Sequence, residues 1–133
     1  MRASVLAAIA NAAHPDAIVS IHGDGGPSSG HGFHVNYSSP PLNAAQSGGA
    51  MRLATVMRDQ LAASGLTPST YIGSNGLYGR PDLAGLNLAE YPAVLVELGN
   101  MRNADDAARM TSDQGRAAYA AAVVRGITTY LGS

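Results

Sequence analysis

Glu97 and His22 are the residues of this sequence best placed to do chemistry. Glu97 is set in the apolar run Pro92-Ala93-Val94-Leu95-Val96-Glu97-Leu98-Gly99-Asn100, and His22 closes a second run, Ala17-Ile18-Val19-Ser20-Ile21-His22. A carboxylate near the end of a buried strand loses hydration, so its pKa rises unless a cation or hydrogen-bond donors compensate. A raised pKa is what general acid/base work requires. The competing reading of Glu97 is a buried ion pair with Arg80 or Arg102. The only other glutamate is Glu90. His22 leads into Gly23-Asp24-Gly25-Gly26, where it can ligate a metal or simply hydrogen-bond a loop. A catalytic metal centre needs three protein ligands and an open position. The other candidates near His22 are His31, His34 and Asp24, and none has strong ligand spacing. Asp24 equally suits ordinary turn chemistry. His31 reads as a solvated loop residue and His14 as a helix terminator.

The elements around these residues must hold them in one cleft. The Glu97 run reads as a strand buried on both faces, and the His22 run as its companion. In open sheets with parallel strands, ligands gather at the carboxyl ends of the strands, so His22 and Glu97 are expected at one site, on strands side by side or one apart. Residues Ala3 to Ala13 place Val5, Leu6 and Ile9 at helical spacing, and His14-Pro15 stops that helix. Gly23 to Gly30 reads as a loop at the site. Gly32 to Tyr37 alternates Phe33, Val35 and Tyr37 with His34 and Asn36, a strand in which His34 points away from the core. After the connection through Pro40-Pro41, Leu53, Val56, Met57 and Leu61 form one helical stripe that Gly65 ends as a left-handed cap. The segment Leu66 to Tyr91 reads as turns with short strands at Tyr71-Ile72 and Gly85 to Leu88. Asn103 caps a short helix carrying Asp105 and Asp106 in its first turn. Thr111-Ser112-Asp113-Gln114 has capping-box spacing, and Ala120, Val124, Ile127 and Leu131 continue a final helix. The expected fold is a single three-layer α/β domain over residues 1–133, with a mostly parallel or mixed sheet flanked by helices.

Composition narrows the function. The 133 residues carry eight arginines, no lysine and nine acids, for a net charge of −1. No basic run could track a phosphate backbone, so nucleic acid is not expected as a partner. With no cysteine, disulfides and thiolate metal sites are excluded. Residues 1–10 briefly imitate a signal peptide, but Asn11 and His14 interrupt the run and a helix is the better reading. No stretch reaches the roughly 18 apolar residues of a membrane span.

The strand endings Ser20-Ile21-His22 and Pro92 to Asn100, followed by Asn103, resemble the zinc-dependent N-acetylmuramoyl-L-alanine amidases of the type 3 family, bacterial cell-wall hydrolases. Arg2 with Ala10-Asn11, the strand Gly32 to Tyr37 and the final helix extend the resemblance over nearly all of the sequence. It implies hydrolysis of the amide between N-acetylmuramic acid and the L-alanine of the stem peptide, with peptidoglycan or muropeptides as substrate, outside the cytoplasm in the cell wall or periplasm. In that family zinc is held by His, Glu and His, and a later glutamate is the general base. Matched by position, His22 takes the place of the last zinc ligand and Glu97 that of the catalytic glutamate. Zinc lowers the pKa of its water to about 7 and polarises the amide, while the carboxylate moves the proton to the leaving nitrogen. The family's first two ligands lie upstream of residue 1, and Glu90 is not promoted in their place. The resemblance thus implies an amino-terminally truncated domain with its opening strands missing. Zinc is expected for the intact domain and weak or absent in this chain alone. A bare strand edge is expected to be covered by self-association or by a retained amino-terminal fragment. The alternative is a non-catalytic peptidoglycan-binding or regulatory module derived from an amidase.

Overall fold

A computed structural model describes residues 2–133. Four strands form one mixed sheet: β1 (Ile18–Asp24), β2 (His34–Ser38), β3 (Leu77–Arg80) and β4 (Ala93–Asn100), in the order β1-β4-β2-β3. β1 runs parallel to β4, β2 runs antiparallel to β4, and β3 runs parallel to β2. The two apolar runs singled out in the sequence are therefore immediate neighbours. Their register pairs His22 with Glu97.

Alternation along β4 divides the sheet into two faces. Val94 and Val96 point to the larger core, with Val35, Phe33, Leu53, Met57, Leu61 and Tyr130. Helices α3 (Gly49–Ala63), α5 (Ala104–Thr111) and α6 (Asp113–Leu131) lie on that side. Ala93 and Leu95 point the other way, toward Leu86, Ala89, Ile18 and Leu83. That face is covered by the single turn α4 (Ala84–Asn87), on which α1 (Ala3–Ala12) rests. The three layers are thus helix, sheet, helix, with the second face only thinly covered. The short α2 (Ala44–Ser47) leads into α3, its Gln46 amide tied to carbonyls of Leu86, Asn87 and Ala89.

Several local expectations match. Leu53, Met57 and Leu61 are buried on α3, and Gly65 follows its last turn with φ +89°, a conformation that glycine adopts freely. Asn103 caps α5 by accepting from the amides of Asp105 and Asp106. Others are displaced. Tyr71-Ile72 is not a strand and Gly85 to Leu88 falls on a helical turn. The strand of that segment is β3 instead, whose Leu77 packs on the larger core while Tyr78 and Arg80 take the opposite face. The final helix is capped by Ser112, one residue later than the capping-box spacing placed it. It buries Tyr119, Ala122, Val123 and Tyr130, leaving Val124 and Leu131 exposed. On α1 the apolar side chains Val5, Leu6 and Ile9 are all exposed, and the buried residue is Ala7. The helix meets α4 through its small side chains, so an apolar stripe there does not mark the packed side.

Candidate active site

The site is built on the second face of the sheet, at the carboxyl ends of β1 and β4. His22 continues the Ile18, Ser20 line of β1, and Glu97 continues the Ala93, Leu95 line of β4. Their side chains converge, with His22 Nδ1 3.9 Å from Glu97 Oε1. That separation is an electrostatic contact and too long for a hydrogen bond. The exposures differ sharply: the His22 side chain is 54% exposed and that of Glu97 only 14%. His22 therefore presents its ring to solvent and to any ligand in the cleft, while Glu97 forms the cleft's floor. An apolar cavity of about 370 Å³ runs from His22 toward α1 and α4, lined by Leu6, Ala10, Leu83 and Leu95 among others.

The electrostatics of Glu97 follow from its position. Burial raises its pKa from the ordinary 4.5, the negative charge of Asp24 raises it further, and Arg80 opposes both, leaving it at about 7. Arg80 does not pair with Glu97. Its guanidinium is taken by Asp82 at 2.6 Å and lies over the Tyr78 ring, 5.4 Å from the centroid. Asp24 accepts a hydrogen bond from the Tyr71 hydroxyl at 2.5 Å, which fixes its carboxylate near the site. Of the alternatives weighed for Glu97, the ion pair with Arg80 or Arg102 is not formed. A carboxyl that titrates near neutrality can both accept and return a proton at physiological pH.

His34 is also at this site. It does face away from the larger core, as the alternation of its strand required, but it is only 2% exposed. The reason is that the second face is covered too. His34 is the antiparallel partner of Glu97, so His22, Glu97 and His34 form one row across three neighbouring strands. Its ring meets Tyr78 edge-on at 6.1 Å. Burial, opposed by Asp24 and reinforced by Arg80, holds its pKa below the usual histidine value. His31 is exposed in the loop and bonds only through its backbone, its amide donating to the Thr70 hydroxyl and its carbonyl accepting from the Thr70 amide. His14 stands outside the site, after α1, in contact with the Tyr91 hydroxyl.

The loop over the site is held by Asn100, Asp106 and Asn103, in bonds that go beyond the local roles in α5 expected for the last two. Asn100, fully buried at the end of β4, donates to the carbonyls of Pro27 and Gly30, each at 2.7 Å, and accepts from the amide of Gly26 at 3.0 Å. The buried carboxylate of Asp106 accepts from the amides of Asn100 and Gly32 at 2.8 and 2.9 Å. Asn103, besides capping α5, donates to the Ser28 carbonyl. A buried asparagine directly after an apolar strand was the available signal, because such an amide needs partners.

A zinc centre needs three protein ligands or more. Among the described residues no group of three His, Cys, Asp or Glu side chains is arranged to hold a metal ion. His34 lies on the far side of Glu97 from His22 and His31 lies outside the row, so neither joins His22 as a ligand. The residues present do not by themselves make a zinc centre.

Fold and site together define an α/β domain with a half-buried carboxylate of raised pKa beside an exposed histidine at the carboxyl ends of two parallel strands. Residues 2–129 match the N-acetylmuramoyl-L-alanine amidase family, and the chain belongs to it. It is 63% identical over 123 residues to the N-acetylmuramoyl-L-alanine amidase Rv3717 of Mycobacterium tuberculosis, a match covering 92% of this chain and 51% of that protein. The crystal structure of the N-acetylmuramyl-L-alanine amidase Ami1 from Mycobacterium smegmatis superposes with a TM-score of 0.97 at 63% identity, covering 98% of this chain and 60% of that one. The apo form of Ami1 from Mycobacterium abscessus gives 0.96 at 64% identity, covering 97% and 61%. The chain thus spans about half the length of the curated relative it matches.

Proposed function

We propose that this chain carries the acid/base half of a peptidoglycan amidase site, cleaving the amide between N-acetylmuramic acid and the L-alanine of the stem peptide. The observation that carries the reading is the pairing of Glu97 with His22 on adjacent parallel strands, one carboxylate oxygen facing the ring at 3.9 Å. Glu97 takes a proton from the attacking water and delivers it to the leaving nitrogen. A pKa of about 7 suits both halves of that transfer. The cavity beside His22 offers an apolar wall for the part of the substrate on that side of the scissile bond. Zinc dependence belongs to the proposal for the intact domain, with His22 as one ligand. The substrate places the activity outside the cytoplasm, at the cell wall or in the periplasm.

A second reading is a peptidoglycan-binding or regulatory module that keeps the groove without turnover. It is favoured by the arrangement of the described residues, among which no three His, Cys, Asp or Glu side chains are grouped to hold a metal ion. Incubating the chain with muropeptides and added zinc separates the two. Release of free stem peptide, reduced about 10²- to 10⁴-fold by Glu97→Gln, is expected for the hydrolase. Saturable muropeptide binding with no release, unchanged by that substitution, would establish the binding module instead.

A further inference from the structure

Three buried side-chain polar atoms among the described residues have no hydrogen-bond partner: His34 Nδ1, Asn36 Oδ1 and Glu97 Oε2. All three belong to one face of two neighbouring strands. His34 is opposite Glu97 in the antiparallel register, and Asn36 is two residues further along the same face, opposite Leu95. Directly opposed residues have Cβ atoms about 4.5–5.5 Å apart and diagonal ones about 7–8 Å, within reach of a carboxylate arm and a shared small partner. Since none of the three atoms has a partner, His34 and Glu97 do not bond each other. The Asn36 amide nitrogen is already committed to the Leu95 carbonyl at 3.2 Å, leaving its oxygen turned elsewhere.

The donor and acceptor inventory of the three is complementary. Asn36 Oδ1 and an ionised Glu97 Oε2 can only accept, and a neutral imidazole has one N–H to give. A water molecule donates twice and accepts, and a buried water is stable with about three such partners. Leaving the three groups unsatisfied would carry a desolvation cost for each.

We propose that His34 is a positioning residue for Glu97, acting through one water that accepts from His34 Nδ1 and donates to Glu97 Oε2 and Asn36 Oδ1. This inference rests on the hydrolase reading for its consequence, but not for the water site itself. The two carboxylate oxygens then have different tasks. Oε2 is anchored on the His34 side, which aims Oε1 at His22 and the reacting water. The ring of His34 is itself steadied by the edge of Tyr78.

Two measurements test this. Atomic-resolution crystallography of the chain is expected to show one water within hydrogen-bond distance of all three atoms. A direct His34–Glu97 hydrogen bond, or no ordered water between them, would overturn the proposal. Kinetics of the zinc-supplemented chain on muropeptides supply the second readout. His34→Leu is expected to lower kcat about 10- to 100-fold, the range of residues that orient a reacting group, with KM unchanged. His34→Gln, which restores a donor, should recover most of the loss. Adding His34→Leu to Glu97→Gln should cost nothing further, because the effect runs through Glu97. A loss that persists in the Glu97→Gln background, or falls on KM, would sink the positioning role, and thermal melts of each variant separate it from misfolding. If the wild-type chain shows no turnover, the hydrolase reading fails for this chain and the crystallographic result alone decides the water site.

Discussion

Glu97 is held in surroundings that disfavour its charge. Its side chain is only 14% exposed, Asp24 adds a like charge nearby, and Arg80 is already engaged by Asp82. The folded state therefore keeps a proton on Glu97 up to about pH 7, whereas the unfolded chain releases it near 4.5. Because the folded pKa is the higher one, this group's contribution to stability is fully present below about pH 4.5 and is lost as pH rises through about 7. In the metal-free chain, Glu97→Gln should remove that dependence. The melting temperatures of wild type and variant are expected to lie close near pH 4 and to diverge toward pH 8, with the glutamine form higher. A gap that stays constant across the range would contradict the assignment. An acid in an apolar strand was conspicuous in the sequence, and so was a histidine ending the neighbouring run. His34 was legible only as one of several candidates near His22, because alternation within β2 assigns it a face and nothing more. Whether that face is covered depends on α4 and β3, elements supplied by the segment whose pattern was weakest.

The loop Gly25 to His31 has no regular structure of its own, and its shape comes from the end of β4. Asn100 replaces the missing backbone pairing with three side-chain hydrogen bonds, to Gly26, Pro27 and Gly30. Asp106 ties the amide of Gly32 to the same strand end. Gly32 itself has φ +102°, and a Cβ there would stand 2.6 Å from the carbonyl oxygens of Thr67 and Pro68. Removing the Asn100 amide leaves buried backbone groups unpaired, so Asn100→Ala should destabilise the fold by about 2 to 4 kcal/mol. Denaturant titration measures the loss. Hydrogen exchange should show the Gly26 amide losing protection ahead of β1 and β4. Uniform loss of protection across the sheet would mean that Asn100 supports the core rather than the loop. These tertiary roles explain why the loop's location was legible and its anchors were not. Asn and Asp after a strand have local uses in turns and caps, and Asn103 and Asp106 do serve α5 as expected. Their longer-range bonds appear only once residues about 70 positions apart are brought together. The same limit displaced the reading of Leu66 to Tyr91. There Gly73 and Gly76 with positive φ, and Asn75 likewise, turn the chain back so that Leu77 to Arg80 pairs with β2.

At the scale of the whole molecule, β1 is the weak side. Among the described residues it is bonded to β4 along one edge and to no strand along the other. Its burial is partial along its length, and Ile21 is 53% exposed. Beside it on the larger-core face is an apolar cavity of about 280 Å³ bounded by Ile21, Leu98, Met110, Tyr119 and Val123. An open edge of β-branched residues next to apolar surface is a template for pairing with another strand, and over Ile18 to Ile21 it carries no charge or proline to guard it. The site depends on that strand, because His22 lies at its end and in register with Glu97. This chain in isolation is therefore expected to associate through β1, with a light-scattering mass above the 13.5 kDa of a single copy. Ile21→Lys places a charge on the exposed apolar face and should shift the population toward monomer. It faces away from the His22 row, so muropeptide binding should survive the change. A monodisperse monomer over a wide concentration range would show that the β1 edge is protected without a partner strand. An Ile21→Lys variant as associated as the wild type would move the contact to another surface.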